Sequence, residues 1–326
     1  MRVLDAATVD ALIDDRMVLE TIRELFSLSS SPDEIGVGRI DLHHPNGWIR
    51  SLPAFVAGKD LVGFKVLNQT SGVGMRYTIY VHRLSTGEPI GIVDALEVTN
   101  LRTGAVSAVA TDHLASQGIE VAAIVGTGPI GRGQLRALEL VRPAAEIRVF
   151  ARTPESRRRF VEEMAGFVTG RLVDSPTTED ALEGAGLVTL ATKAASPILT
   201  SEHLRPGMHV NSVGPASRDR VEIDPAIFGS FDRVVCDSAR LVLDEAGDAH
   251  QAVSAHDFDP ARAEDLGDLV TGAAPGRSAV DEITLFKSVG TGAQDLVVAA
   301  RLLEMAEAEG VGVVVDHVNS IKPARG

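Results

Sequence analysis

The stretch that most constrains this chain is Gly126-Thr127-Gly128-Pro129-Ile130-Gly131. It follows the apolar run Val121 to Val125 and opens a segment of helical period reaching about Leu140. A Gly-x-Gly-x-x-Gly pattern is weak alone, but between a strand and a helix each glycine has its own task. The first permits the tight turn, the second lets backbone approach a pyrophosphate, and the third lets the helix pack close to the strand. The helix N-terminus then offers unpaired N–H groups and a partial positive charge to phosphate. All six residues are therefore assigned to a dinucleotide cofactor.

The surrounding pattern agrees. Ile147 to Phe150 reads as the next strand and Pro154 to Met164 as the next helix; Leu187 to Ala191, His209 to Val213 and Val234 to Asp237 repeat the strand theme. Strands alternating with helices predict a Rossmann-type doubly wound parallel sheet, covered on both faces, over about 115–290. The N-terminal part differs. A helical period runs from Ala6 to Phe26, and short extended runs follow from about Val37 to Val93, with a Thr86-Gly87 turn making an antiparallel hairpin. Asn100 is expected to cap a helix from Leu101 to about Ser116, and the tail reads as a helix from Val289 to Ala308 with a last strand in Gly310 to Val315. A chain of 326 residues is long for one core. The expected division is an α+β substrate-binding and dimerisation domain with antiparallel strands (1–114 with 296–326) and an NAD(P)-binding domain (115–295). The N-terminal strands are too few to close a core alone, which points to a partner chain.

Composition narrows the partners. The net charge of −14 repels phosphate backbones and anionic lipid, and 4% aromatics leave little for a base-stacking platform, so neither nucleic acid nor membrane is expected. The single cysteine, Cys236, sits in an apolar run and reads as a buried strand residue; no zinc spacing exists and no metal is expected. No signal-like block opens the chain and no apolar run is long enough to span a bilayer, which fits a cytoplasmic protein.

The end of the second Rossmann strand bears on the cofactor. An acid there would bind the ribose hydroxyls of NAD, but the chain reads Phe150-Ala151-Arg152-Thr153. Arg152 and Thr153, with Arg157 on the next helix, suit a 2′-phosphate, so NADP(H) is preferred, with NAD(H) as the alternative. Arg158 and Arg159 read as a solvated helix face. Lys65 stands in the apolar run Val62 to Leu67. It is either an edge residue snorkelling to water or a buried functional amine. Arg39, Arg50 and Arg102 also lie in or beside apolar segments. Each is a surface salt bridge or a carboxylate fork. Arg102, in the first turn of its expected helix, opposes the macrodipole unless an anion faces it.

Several collinear segments together resemble the ornithine cyclodeaminase/μ-crystallin family: Leu52-Pro53-Ala54-Phe55, Gly63-Phe64-Lys65, Leu101-Arg102-Thr103-Gly104-Ala105-Val106-Ser107-Ala108, the glycine loop, His209-Val210-Asn211-Ser212-Val213-Gly214 and Leu285-Phe286-Lys287-Ser288-Val289-Gly290. The resemblance implies a homodimer built through the N-terminal domain. It also implies a substrate lysine at Lys65, carboxylate-binding arginines at Arg39 and Arg102, and cofactor contacts at Thr192, Val213, Ser288, Val289 and Gly290. Two departures matter. Cyclodeaminases place a glutamate where this chain has Arg50, and an aspartate two residues after Val213-Gly214, where this chain has Ala216. The implied activity is therefore an NADPH-dependent imine or keto-acid reductase, or an opine-like amino-acid dehydrogenase, with Arg50 available for a second carboxylate. The alternatives are an ammonia-releasing lyase, an opine-cleaving dehydrogenase that yields 2,3-diaminopropionate, and a non-enzymatic NADPH-binding protein.

Overall fold

The computed structural model describes residues 1–28, 38–214 and 216–316. They form two compact units, one from residues within 1–14, 33–99 and 291–326, the other from residues within 15–32 and 100–290. Among the described residues no helix is long and apolar enough to cross a membrane, and no three His, Cys, Asp or Glu side chains cluster as a metal site.

The first unit is a seven-stranded mixed sheet. It contains β1 (Arg2–Leu4), β2 (Ile40–His44), β3 (Gly47–Val56), β4 (Leu61–Thr70), β5 (Gly74–Arg83), β6 (Pro89–Asp94) and β15 (Val313–Val314), in the order β15-β1-β6-β5-β4-β3-β2. The expected hairpin between β5 and β6 is present, and the expected last strand pairs antiparallel with β1. Among the described residues two α-helices belong here, α1 (Ala6–Leu12) and α10 (Gly292–Glu309). Period-two alternation sets the faces. Leu52, Lys65, Ile79 and Val93 align across β3 to β6 and are buried on the side that α10 packs against. The next row, Pro53, Phe64, Tyr80 and Ile92, faces the other way and is half-buried, with Phe64 and Tyr80 stacked at 4.9 Å.

The second unit is an eight-stranded, all-parallel sheet. Its strands are β7 (Val121–Val125), β8 (Glu146–Phe150), β9 (Arg171–Asp174), β10 (Leu187–Leu190), β11 (His209–Ser212), β12 (Arg233–Cys236), β13 (Ala263–Asp265) and β14 (Thr284–Lys287). The order is β13-β12-β14-β11-β10-β7-β8-β9. Its helices are α2 (Asp15–Leu28), most of α3 (Leu96–Leu114), α4 (Pro129–Val141), α5 (Pro154–Met164), α6 (Thr178–Leu182), α7 (Ala239–Glu245), α8 (Gly247–Ser254) and α9 (Leu266–Thr271). Alternate residues of β7 enter different cores. Ala122 and Ile124 pack with Leu135, Ile147 and Phe160, whereas Ala123 and Val125 pack with Val188, Val210 and Leu285. This is the expected doubly wound sheet. The chain leaves β7 toward β8 and β9 on one side and returns to β10 on the other, so the topological switch point lies at the carboxyl ends of β7 and β10.

Two expected helices differ. The N-terminal one is broken, because Ile13 is extended (ψ 131°) and ends α1. The long helix starts at Leu96, where the Asp94 carboxylate accepts the Leu96 N–H at 3.2 Å. Asn100 is thus a helix-interior residue and not a cap, and Arg102 lies in the second turn, beyond the strongest unpaired N–H groups.

Candidate active site

The glycine loop meets the requirements of a phosphate cradle. Gly126 has φ +114°, and a Cβ there would stand 2.3 Å from the Ala191 carbonyl oxygen. A Cβ on Gly131 would stand 2.0 Å from the Gly126 carbonyl oxygen, so the third glycine is required by close helix–strand packing. Gly128 is different: a Cβ there meets nothing within 4 Å, so no protein contact demands a glycine. Open space before a helix N-terminus whose cap residue has no side chain is what a diphosphate needs. The residues therefore fit a dinucleotide.

At the end of β8, Arg152 is exposed and no hydrogen bond or ion pair to another described residue engages its guanidinium. Thr153 caps α5, its hydroxyl accepting the Ser156 N–H at 3.4 Å. Arg157 corrects the sequence reading. It is 7% exposed, ion-paired to Asp174, and donates to the Ala151 carbonyl at 2.9 Å. It braces the turn that carries Arg152 and has little left for a phosphate. Arg158 and Arg159 pair with Glu155 and Glu163 on the exposed helix face, as expected.

Beyond the switch point, Thr192 follows β10 and Val213 follows β11, and Ser288, Val289 and Gly290 follow β14. Two buried acids that sequence reasoning missed organise them. Asp237 accepts the Ser288 hydroxyl and the Gly290 N–H at 2.7 Å each, and the Val289 N–H at 3.3 Å. Glu222 accepts the Thr192 N–H at 2.7 Å and the Gly214 N–H at 2.9 Å. Asp237 carried a usable signal, since it directly follows a strand on its carboxyl side. Glu222 carried none. Arg102 is 6% exposed and lies against the same loop: a Cβ on Gly290, itself at φ +77°, would stand 2.8 Å from its Nη1.

In the first unit Lys65 is 2% exposed, so it is a buried amine and not an edge residue. Its Nζ donates to Asp295 Oδ1 at 3.0 Å and lies 5.5 Å from the Tyr77 ring centroid. The β4 sequence offers no counter-ion for this lysine; the structure supplies one from the first turn of α10, where the helix N-terminus also favours an anion. Of the two readings of Arg50, the structure shows the salt bridge. Its Nε and Nη2 grip Asp41 Oδ1 and Oδ2 at 2.7 Å each, across the β2–β3 register. Its fork is therefore committed and is not open for a second substrate carboxylate. The Arg50 hydrogen bonds hold the Asp41 carboxyl below the usual range, with the Arg39 charge adding to the effect. Arg39 immediately precedes β2 and is half-buried.

Comparisons with known proteins agree with this geometry. A sequence model described as "Ornithine cyclodeaminase/mu-crystallin family" matches residues 4–310. A Delta(1)-pyrroline-2-carboxylate reductase of Bacillus cereus is 30% identical over 268 residues, covering 80% of this chain and 82% of the relative. The ketimine reductase mu-crystallin of Mus musculus is 29% identical over 259 residues, covering 78% and 79%. The solved Delta(1)-pyrroline-2-carboxylate reductase of Thermococcus litoralis, in complex with NADH and L-proline, superposes with a TM-score of 0.90 at 29% identity, over 97% of this chain and all of that one. The chain belongs to the ornithine cyclodeaminase/mu-crystallin family.

Proposed function

We propose that the protein is a cytoplasmic, homodimeric, NAD(P)H-dependent reductase of carboxylated imines, working reversibly on the corresponding amino acid. One observation carries the reading: an open Gly128 before the bare N-terminus of α4, at the switch point of a parallel sheet. The names of the relatives support the imine as substrate class. The dinucleotide, when bound, supplies a hydride to the imine carbon. The chain's own groups hold and orient. The α4 N-terminus and loop 126–131 would take the diphosphate. Ser288 to Gly290, fixed by Asp237, would line the nicotinamide end. Arg102 and Arg39 would bind the substrate carboxylate. Lys65, held by Asp295, would keep a proton beside the imine nitrogen.

NADP(H) is the preferred form in this reading, because Arg152 is uncommitted where an acid would bind the ribose of NAD. The apolar, half-buried row Pro53-Phe64-Tyr80-Ile92 supports dimerisation through the first unit. An ammonia-releasing lyase is disfavoured, because Ala216 stands where that chemistry needs an aspartate and Arg50 neutralises the one carboxylate across from it, Asp41. The test is absorbance at 340 nm with NADPH, then NADH, against a panel of cyclic and acyclic imino acids including Delta(1)-pyrroline-2-carboxylate. Oxidation of the cofactor with formation of the amino acid is the expected result.

A further inference from the structure

The carboxyl ends of β10 and β11 are tied together by one buried side chain. Glu222 is 1% exposed. Its Oε1 accepts the Thr192 N–H at 2.7 Å and the Thr192 hydroxyl at 2.8 Å; its Oε2 accepts the Ser212 hydroxyl at 2.8 Å and the Gly214 N–H at 2.9 Å. The hydroxyl directions follow from their other partners. Thr192 Oγ1 receives the Ala194 N–H at 3.1 Å, and Ser212 Oγ receives the Lys287 ammonium at 2.8 Å, so each hydroxyl hydrogen is directed at Glu222. The carboxylate thus receives four donors.

The support continues one shell further. Asp248 Oδ2 accepts the Glu222 N–H at 3.3 Å, the Ile223 N–H at 3.4 Å and the Lys287 ammonium at 2.7 Å. A Cβ on Gly214 would stand 2.4 Å from Glu222 Cδ, so the backbone beyond β11 rests directly on the carboxyl group. Such a connected and satisfied network resists small displacements more than its separate bonds would.

β10 and β11 lie on the side of β7 away from β8, in the half of the sheet that takes the second mononucleotide of a dinucleotide. Given dinucleotide binding as proposed above, we infer that Glu222 is the positioning residue for the nicotinamide half of the cofactor. It acts through the Thr192 and Gly214 backbone and does not touch the ring itself. The adenosine half, served by loop 126–131 and the end of β8, lies outside its reach.

Glu222→Gln tests this. The amide keeps the shape but presents one acceptor and one donor group to four donors. NADPH and 2′-phospho-ADP-ribose, which lacks nicotinamide, are titrated against native and variant protein by calorimetry. If the native protein prefers NADH, NADH and ADP-ribose replace them. The Kd of the whole dinucleotide should rise about tenfold or more, while the Kd of the fragment stays within about twofold. Ser212→Ala, which removes one of the four donors, should give the same discrimination with a smaller factor. Equal weakening of both ligands, or no change in either, overturns the inference. If Glu222→Gln does not fold, the Ser212→Ala pair of titrations decides it. Native protein that binds neither dinucleotide would instead overturn the proposed function.

Discussion

The Lys65–Asp295 pair gives a quantitative test of the first unit. Both side chains are buried, at 2% and 0% exposure, with 3.0 Å between Nζ and Oδ1. Removing one partner of such a buried pair costs about 3–5 kcal/mol. In Lys65→Met the Asp295 carboxylate stays in the first turn of α10, where the helix N-terminus returns up to ~2 kcal/mol. In Asp295→Asn the buried Lys65 ammonium keeps the Tyr77 ring, worth about 2 kcal/mol when desolvated. The two removals should therefore cost similar amounts. The double variant Lys65→Met/Asp295→Asn removes both charges of the pair together, so it should cost less than the sum of the singles by about 2–3 kcal/mol. Urea unfolding followed by circular dichroism at one fixed protein concentration measures all three. Single variants within about 0.5 kcal/mol of native, or strictly additive costs, would refute the buried pair. In the same Lys65→Met protein, turnover should fall about a hundredfold or more with NADPH affinity nearly intact.

Other predictions follow from single residues. Burial pushes the His209 imidazole down to about 3, with the Arg277 charge acting in the same direction. Because the unfolded chain takes up this proton first, the stability tied to neutral His209 is complete above about pH 6.5. It is lost at ~1.4 kcal/mol per pH unit as the pH falls toward 3. The unfolding free energy of His209→Gln, plotted as a difference from native against pH, should show that slope; a flat difference would contradict it. Arg152→Asp should reverse a preference for NADPH over NADH by removing a charge-assisted contact worth about 1.5–3 kcal/mol, and equal titration curves of the two cofactors in the native protein would count against the assignment. Phe64→Glu places a charge in the apolar row of the first unit and should turn a dimer into monomer or aggregate by light scattering; a native protein already monomeric at micromolar concentration would end that reading.

Local chemistry made part of this legible from residues alone. The glycine loop, the α5 boundaries at Pro154 and Met164, the Thr86-Gly87 hairpin and the burial of Cys236 all follow from signals within a few positions of the residue concerned. The resemblance to a family rested on collinear motifs and reached the same fold. What escaped was pairing through space. Lys65 and Asp295 are 230 positions apart, and nothing in β4 announces an acid on α10. Asp41 lies close in sequence to Arg50, yet becomes its partner only once the β2–β3 register is known. Arg157 looked like a phosphate ligand because its spacing from Arg152 is visible, whereas its partner Asp174 comes from the next strand. Helix starts failed for a related reason: Asn100 is a good cap by type, but Asp94 had already begun the helix.

The most direct test of the central claim is a stoichiometric one: purified protein, NADPH and Delta(1)-pyrroline-2-carboxylate or a related imino acid, with cofactor oxidation, amino-acid product and free ammonia measured in the same reaction. The account predicts one amino acid formed per cofactor oxidised and no ammonia released. Cofactor that binds and never turns over with any member of the panel would contradict it, as would ammonia released from a diamino acid with no net change in cofactor.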